Sequence, residues 1–185
     1  MYRRFIIEVM TWMERKKRIM PWCWGLVGVL WDVWYYIVRG KLMLDSDISS
    51  EIILADILNK EHSVTGLTTS WGYSAEIRAL NIQWFLRIGL LFFPNNWHMA
   101  RTVGMTLALL TMAFAMWLVF YSINRPEWGV WAAAFTVMPG GSWYFWQTIY
   151  GGFYMIYIMI PLFSFALTML VLRETHLWKR IMFAG

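Results

Sequence analysis

A chain of 185 residues with a single cysteine, three histidines and only 15% charged positions excludes much before any motif is sought. With Cys23 alone, no intramolecular disulfide and no thiolate metal cluster can form. There is no P-loop, HExxH, paired CxxC or nucleophile elbow, so the usual marks of nucleotide hydrolysis, zinc proteolysis and α/β-hydrolase chemistry are missing. No Pro/Ser-rich linker, low-complexity tract or internal repeat divides the chain. Nor does the N-terminus read as a cleavable signal: its apolar run is long and ends in Arg39, Gly40 and Lys41, without a small-residue cleavage pattern. It reads as a retained anchor.

What the chain has in abundance is apolar and aromatic surface. It is 59% hydrophobic and 19% aromatic with a mean hydropathy of +0.48, where a soluble domain is about 45–50% apolar and about 25% charged. This composition predicts an all-α integral membrane protein. Its 14 Trp and 9 Tyr suit that class, because amphipathic rings collect where hydrocarbon meets headgroups. The net charge of +5 would suggest nucleic acid in a soluble protein, but here the basic residues flank apolar runs. Membrane lipid is the expected partner, and nucleic acid is not.

Charge orients the expected spans. Residues 1–18 form a basic N-terminus, with Arg3, Arg4, Arg15, Lys16, Lys17 and Arg18 kept cytoplasmic by the positive-inside rule. Residues 19–38 supply the roughly 20 apolar positions of a first span. Residues 39–96 are then an extracytoplasmic loop carrying amphipathic surface helices. Span two covers 97–123, span three 128–150 with a break at Pro139, Gly140 and Gly141, and span four 153–172. Residues 173–185 return as a basic tail. About four transmembrane helices thus leave both termini cytoplasmic.

Within the outer loop, residues 75–93 carry Glu76, Arg78, Asn81, Gln83 and Arg87, which are expensive at bilayer depth. They are expected as a surface helix with Trp84, Leu86, Ile88 and Phe92 dipping toward lipid. Residues 48–60 predict a short amphipathic helix with Ile53, Leu54, Ile57 and Leu58 on one face. Asp47 stands at its N-cap position, Glu51 sits near the positive end of the helix dipole, and Asp56 can pair with Lys60 at i, i+4. Asp45 has no such structural duty. A carboxylate just beyond the outer end of a first span sits at headgroup height, where it can deprotonate an acceptor hydroxyl or hold a divalent cation against phosphate.

"LMLDSDISSEIILADILNKE", "TTSWGYSAEIRALNIQ" and "NWHMARTVG" resemble, in that order, the first outer loop and second span of bacterial membrane glycosyltransferases of the GT-C type. The resemblance covers roughly residues 20–175 and only the front portion of such proteins. It implies a many-span fold with an outward-facing site, an inverting reaction, and a polyprenyl-phosphate sugar as donor. An Asp of the first outer loop is the catalytic base or a metal ligand in that family, and the matching positions are Asp45 and Asp47. A magnesium or manganese ion is the cofactor so implied. Unlike the family's pattern, "PGGSWYFWQTIYGG" brings no further acidic residue.

Glu76 and Arg78 are candidates for a substrate clamp or an ion pair. His98 and Arg101, three apart at the start of span two, are further substrate-binding candidates, with Arg101 offering a forked donor set to phosphate. Asp32, two turns below the outer end of span one, would cost about 2.5–3.5 kcal/mol unpaired, which marks function or a buried partner. Three functions stay open: a GT-C transferase completed by further spans or an additional membrane chain, a non-catalytic membrane scaffold, and a transporter component.

Overall fold

The computed structural model describes residues 2–43, 46–72, 81–138, 140–141, 153–173 and 181, with side chains described outside 2–18, 43, 46–48 and 153. All regular structure among them is helical. Helix α1 spans Tyr2–Arg39, a single turn of 3₁₀ helix spans Gly40–Met43, and α2 spans Ser46–Lys60. They are followed by α3 at Gln83–Phe92, α4 at Trp97–Ser122, α5 at Pro126–Thr136 and α6 at Phe153–Arg173.

Helix α4 is the centre, packed against α1, α3, α5 and α6. Its small residues explain why. Ala100, Gly104 and Ala108 recur every four positions and are buried, so a neighbouring backbone can come close, the usual basis of helix association in lipid. A Cβ on Gly104 would lie 2.9 Å from Leu86 Cα, and one on Gly89 would collide with the Ala100 carbonyl. Helices α3 and α4 therefore run antiparallel in backbone contact. Asn96 starts α4 by accepting from the Met99 amide at 3.1 Å, as an N-cap residue does.

A second glycine seam joins α1 to α5. A Cβ on Gly28 would lie 2.5 Å from the Val137 carbonyl oxygen, and one on Gly25 would sit 3.6 Å from Ala134 Cα. Helix α5 opens with Pro126, whose missing N–H costs nothing at a helix start. Its 11 residues rise only about 16 Å, half the hydrocarbon thickness. The third span expected over 128–150 is thus a half-length helix as far as Thr136, and residues 142–150 lie outside the described ones.

Helices α1 and α4 are antiparallel. At one end His98 Nε2 donates to the Ile37 carbonyl at 3.0 Å; at the other, Pro21 and Trp22 face Ala113 and Trp117 across a cleft. Helix α6 is parallel to α4, because Arg173 Nη1 donates to Asn124 Oδ1 at 2.5 Å and to the Tyr121 carbonyl at 3.3 Å. The guanidinium also lies over the Tyr121 ring at 5.6 Å. Asn124 can serve this turn because its amide side chain tolerates the left-handed backbone, φ 60°, found there.

Among the described residues two helices, α4 and α6 from Tyr154, are long and apolar enough to cross a membrane. Helix α1 has the length, but Asp32, Pro21 and its Trp and Tyr residues dilute its hydropathy. Its described surface is nonetheless apolar and wide, with Trp22, Trp24, Leu26, Val27, Leu30, Trp31 and Trp34 all exposed. Helix α6 shows Ile158, Ile160, Phe165 and Leu172 in the same way. Surfaces of this extent are covered by lipid or by another chain.

Candidate functional site

The end of the bundle where His98 of α4 meets Ile37 of α1 carries a layer of buried polar side chains. Asp32 and Tyr36 come from α1, Glu51 from α2, Asn81 and Gln83 from the start of α3, and Arg101 and Thr102 from α4. Apolar neighbours knit the layer into one core, for Tyr36, Ile52, Ile82, Ala100 and Met105 belong to a single cluster. Helix α2 is held over it by burying Ile52, Leu54, Ala55 and Leu58. Asn81 Nδ2 reaches Glu51 Oε1 at 3.5 Å and its Oδ1 caps the Ile82 amide at 2.7 Å.

Asp32 is the outlier of this layer. It is 1% exposed, and neither carboxylate oxygen has a hydrogen-bond partner among the described residues. Arg101 is 5% exposed, which differs from an arginine whose head snorkels out of the bilayer edge. The His98–Ile37 contact sets their relative depth. Asp32 lies five residues from Ile37 and Arg101 three from His98, or roughly 7.5 Å and 4.5 Å below the contact at 1.5 Å per residue. The two charges therefore occupy nearly the same level on adjacent helices.

The sequence-derived candidates distribute unevenly over this geometry. His98 is half-buried and its ring is engaged in tying α4 to α1, with Gly40 leaving room for it. Arg101 belongs to the buried layer. Asp45, Glu76 and Arg78 lie outside the described residues, and the Asp47 side chain does too. The backbone of α2 begins at Ser46, so Asp47 lies inside the first turn rather than ahead of it. The expected Asp56–Lys60 pair forms at 2.7 Å. Leu86 turns to α4 and is buried, not lipid-facing, because the antiparallel contact with Gly104 consumes that side of α3. Ile88, Leu91 and Phe92 keep the exposed apolar face.

Among the described residues no three His, Cys, Asp or Glu side chains converge as a metal site. The inner cleft between α1, α4 and α5, of about 600 Å³, is lined by Trp22, Leu26, Leu110, Phe114, Trp117 and other apolar groups, and carries no acid, base or nucleophile. The loop after α2 is polar and wet. There Glu61 accepts from the Ser70 hydroxyl, and this bond, with a second from Thr68, holds its carboxyl below the usual range.

Sequence reasoning missed that Glu51, Asn81 and Gln83 would be buried together. Each sits beside a strongly apolar residue, Ile52 or Ile82, and that adjacency was the available signal. Compared with known protein families, curated proteins and solved structures, the chain matches none of them.

Proposed function

We propose that this chain contributes the first spans of a membrane glycosyltransferase of the GT-C type, taking sugar from a polyprenyl-phosphate donor at the outer membrane face. The observation that supports it most is the polar layer beneath α2. Buried Asp32, Glu51, Asn81, Gln83 and Arg101 are costly in a membrane bundle and are retained where polar chemistry is served. The same outer end carries the start of α2 at Ser46, with Asp47 in its first turn and Asp45 just before it in sequence. One of these carboxylates takes the acceptor hydroxyl proton, and Arg101 offsets charge on the donor phosphate. A magnesium or manganese ion held by the two Asp residues would add positive charge there. Glu76, Arg78 and His98 flank the donor in this reading.

The test is transfer of a radiolabelled sugar from polyprenyl phosphate in membranes holding the full gene product. Asp45→Asn or Asp47→Asn keeps shape and removes the base, so turnover should fall at least about 10²-fold with folded protein unchanged. Unaltered transfer in both variants would refute the assignment.

In the same reading the chain crosses four times, with both termini in the cytoplasm. Its support is that Pro21 and Trp22 of α1, the Asn124 turn and Arg173 at the end of α6 gather at one end of the bundle. A cysteine placed at Ser63 should then react with an impermeant reagent from outside, and one at Asn124 should not. Labelling at Asn124 alone would reverse the orientation. A second reading, a transporter component, is favoured by one observation, the unpartnered Asp32 carboxylate, since such acids serve proton and ion paths.

A further inference from the structure

The second cleft of the molecule, about 460 Å³ between the end of α2 and α3, differs from the inner one in having a cation at its wall. Arg87 Nε donates to Asn59 Oδ1 at 2.8 Å, and Asn59 Nδ2 donates back to the Arg87 carbonyl at 3.1 Å. This reciprocal pair fixes the guanidinium, and the Trp84 ring supports it at 4.9 Å from Cζ. The fixed group is not satisfied. Its Nη1 is buried with no hydrogen-bond partner among the described residues, and the two acids nearest in sequence to Asn59 are engaged elsewhere, Glu61 by the Ser70 hydroxyl and Asp56 by Lys60. A part-buried guanidinium at a cleft wall, with no carboxylate partner among the described residues, favours an anion there.

The surroundings narrow the anion. His62 and Asn59 form the polar wall, while Ile88 and Leu91 form an apolar one that opens onto the exposed side of α3. A ligand that fits both walls has an anionic head and a hydrocarbon body. Depth narrows it further. Helix α4 has 26 residues, about 39 Å, some 9 Å longer than a hydrocarbon core, so its first six residues can stand among headgroups. The Gly89–Ala100 and Leu86–Gly104 contacts put Arg87 level with Thr102 and Val103, at the boundary of hydrocarbon and headgroup. We propose that this cleft binds one bilayer glycerophospholipid, its phosphodiester on the Arg87 guanidinium beside His62 and its acyl chains along Ile88 and Leu91. The site is separate from the transfer reaction and stands or falls without it.

Native mass spectrometry of the purified full-length chain, released from detergent containing equal phosphatidylglycerol and polyprenyl phosphate, tests this directly. The wild type should retain one phosphatidylglycerol. Arg87→Gln should lower the bound fraction at least about tenfold, as a charge-assisted fork is lost. Asn59→Asp provides a second route if that variant does not fold. It sets a carboxylate against the same guanidinium from within, at the loss of the Nδ2 bond to the Arg87 carbonyl, and it should expel the lipid while the protein still unfolds cooperatively. Equal retention by wild type and variants, preference for polyprenyl phosphate, or displacement of the lipid by millimolar inorganic phosphate would each overturn the proposal.

Discussion

The inner and outer halves of the bundle are held by the same kind of contact and serve opposite ends. In both, glycine lets one helix backbone touch another: Gly28 against Val137 within the inner pair, Gly104 against Leu86 in the outer one. The inner seam borders a cleft lined by apolar side chains, and Asp32 stands one turn beyond Gly28 toward the outer half. The outer seam is followed by Asp32, Glu51, Asn81, Gln83, Arg87 and Arg101. Close packing at small residues is one driver of helix association in lipid, whereas buried ionisable groups are costly there and mark function by default, and the polar groups concentrate in the outer half. They are where function is to be sought.

The strongest way to break this comparison is to fill the seam. Gly28→Leu drives a side chain into a backbone carbonyl that cannot rotate away, and should cost about 3 kcal/mol or more by overpacking. Gly141→Ala is the control, since nothing lies within 4 Å of its added Cβ, and it should change stability by less than about 0.5 kcal/mol. Thermal unfolding in detergent reads both. A Gly28→Leu variant as stable as the control would mean that α1 and α5 do not meet.

Next in size is Asp32→Leu, which sharpens the claim that the outer polar groups are kept for work rather than for stability. Both oxygens of Asp32 are buried without partners, and removing such a group relieves its desolvation, a gain of about 1–3 kcal/mol. The variant should unfold later than wild type and lose activity or coupled transport. A more stable and fully active variant would strike Asp32 from the site.

Much of this architecture was legible in the sequence. The run from Trp97 to Ser122 is apolar enough to read as one helix, Ala100, Gly104 and Ala108 included, and Asn96 and Pro126 mark starts by ordinary capping and proline chemistry. The pairing of Asp56 with Lys60 followed from spacing. Helix α3 was harder. Its charged residues argued for a wet surface, yet Leu86 and Gln83 are buried against α4, because whether a polar residue faces water or a partner depends on a neighbour some twenty positions away. The depth relation of Asp32 and Arg101 was illegible for the same reason: it is set by His98 meeting Ile37, a contact between residues 61 positions apart.

The smallest expected effect concerns the polar loop after α2, which tests whether fastening in the outer half reaches beyond the buried layer. Glu61 is fully exposed, and its carboxyl lies below the ordinary value of 4.5 through the Ser70 hydroxyl first and Thr68 second, against a minor opposing push from burial. A lowered folded-state value means that the bonds contribute above about pH 4.5 and fade as pH falls through the folded value. Exposure keeps the contribution to global stability slight, so the readout must be local. An NMR titration following the Glu61 carboxyl carbon should give a midpoint below 4.5 in the wild type. Ser70→Ala should raise that midpoint toward 4.5, and the double variant with Thr68→Ala should complete the shift. With one donor lost, Ser63 still holds the loop by donating to the Leu67 carbonyl at 2.8 Å, so the fold should be unchanged. A midpoint that ignores Ser70→Ala would show that the hydroxyl spends its time in water, and that fastening in the outer half stops at the buried layer.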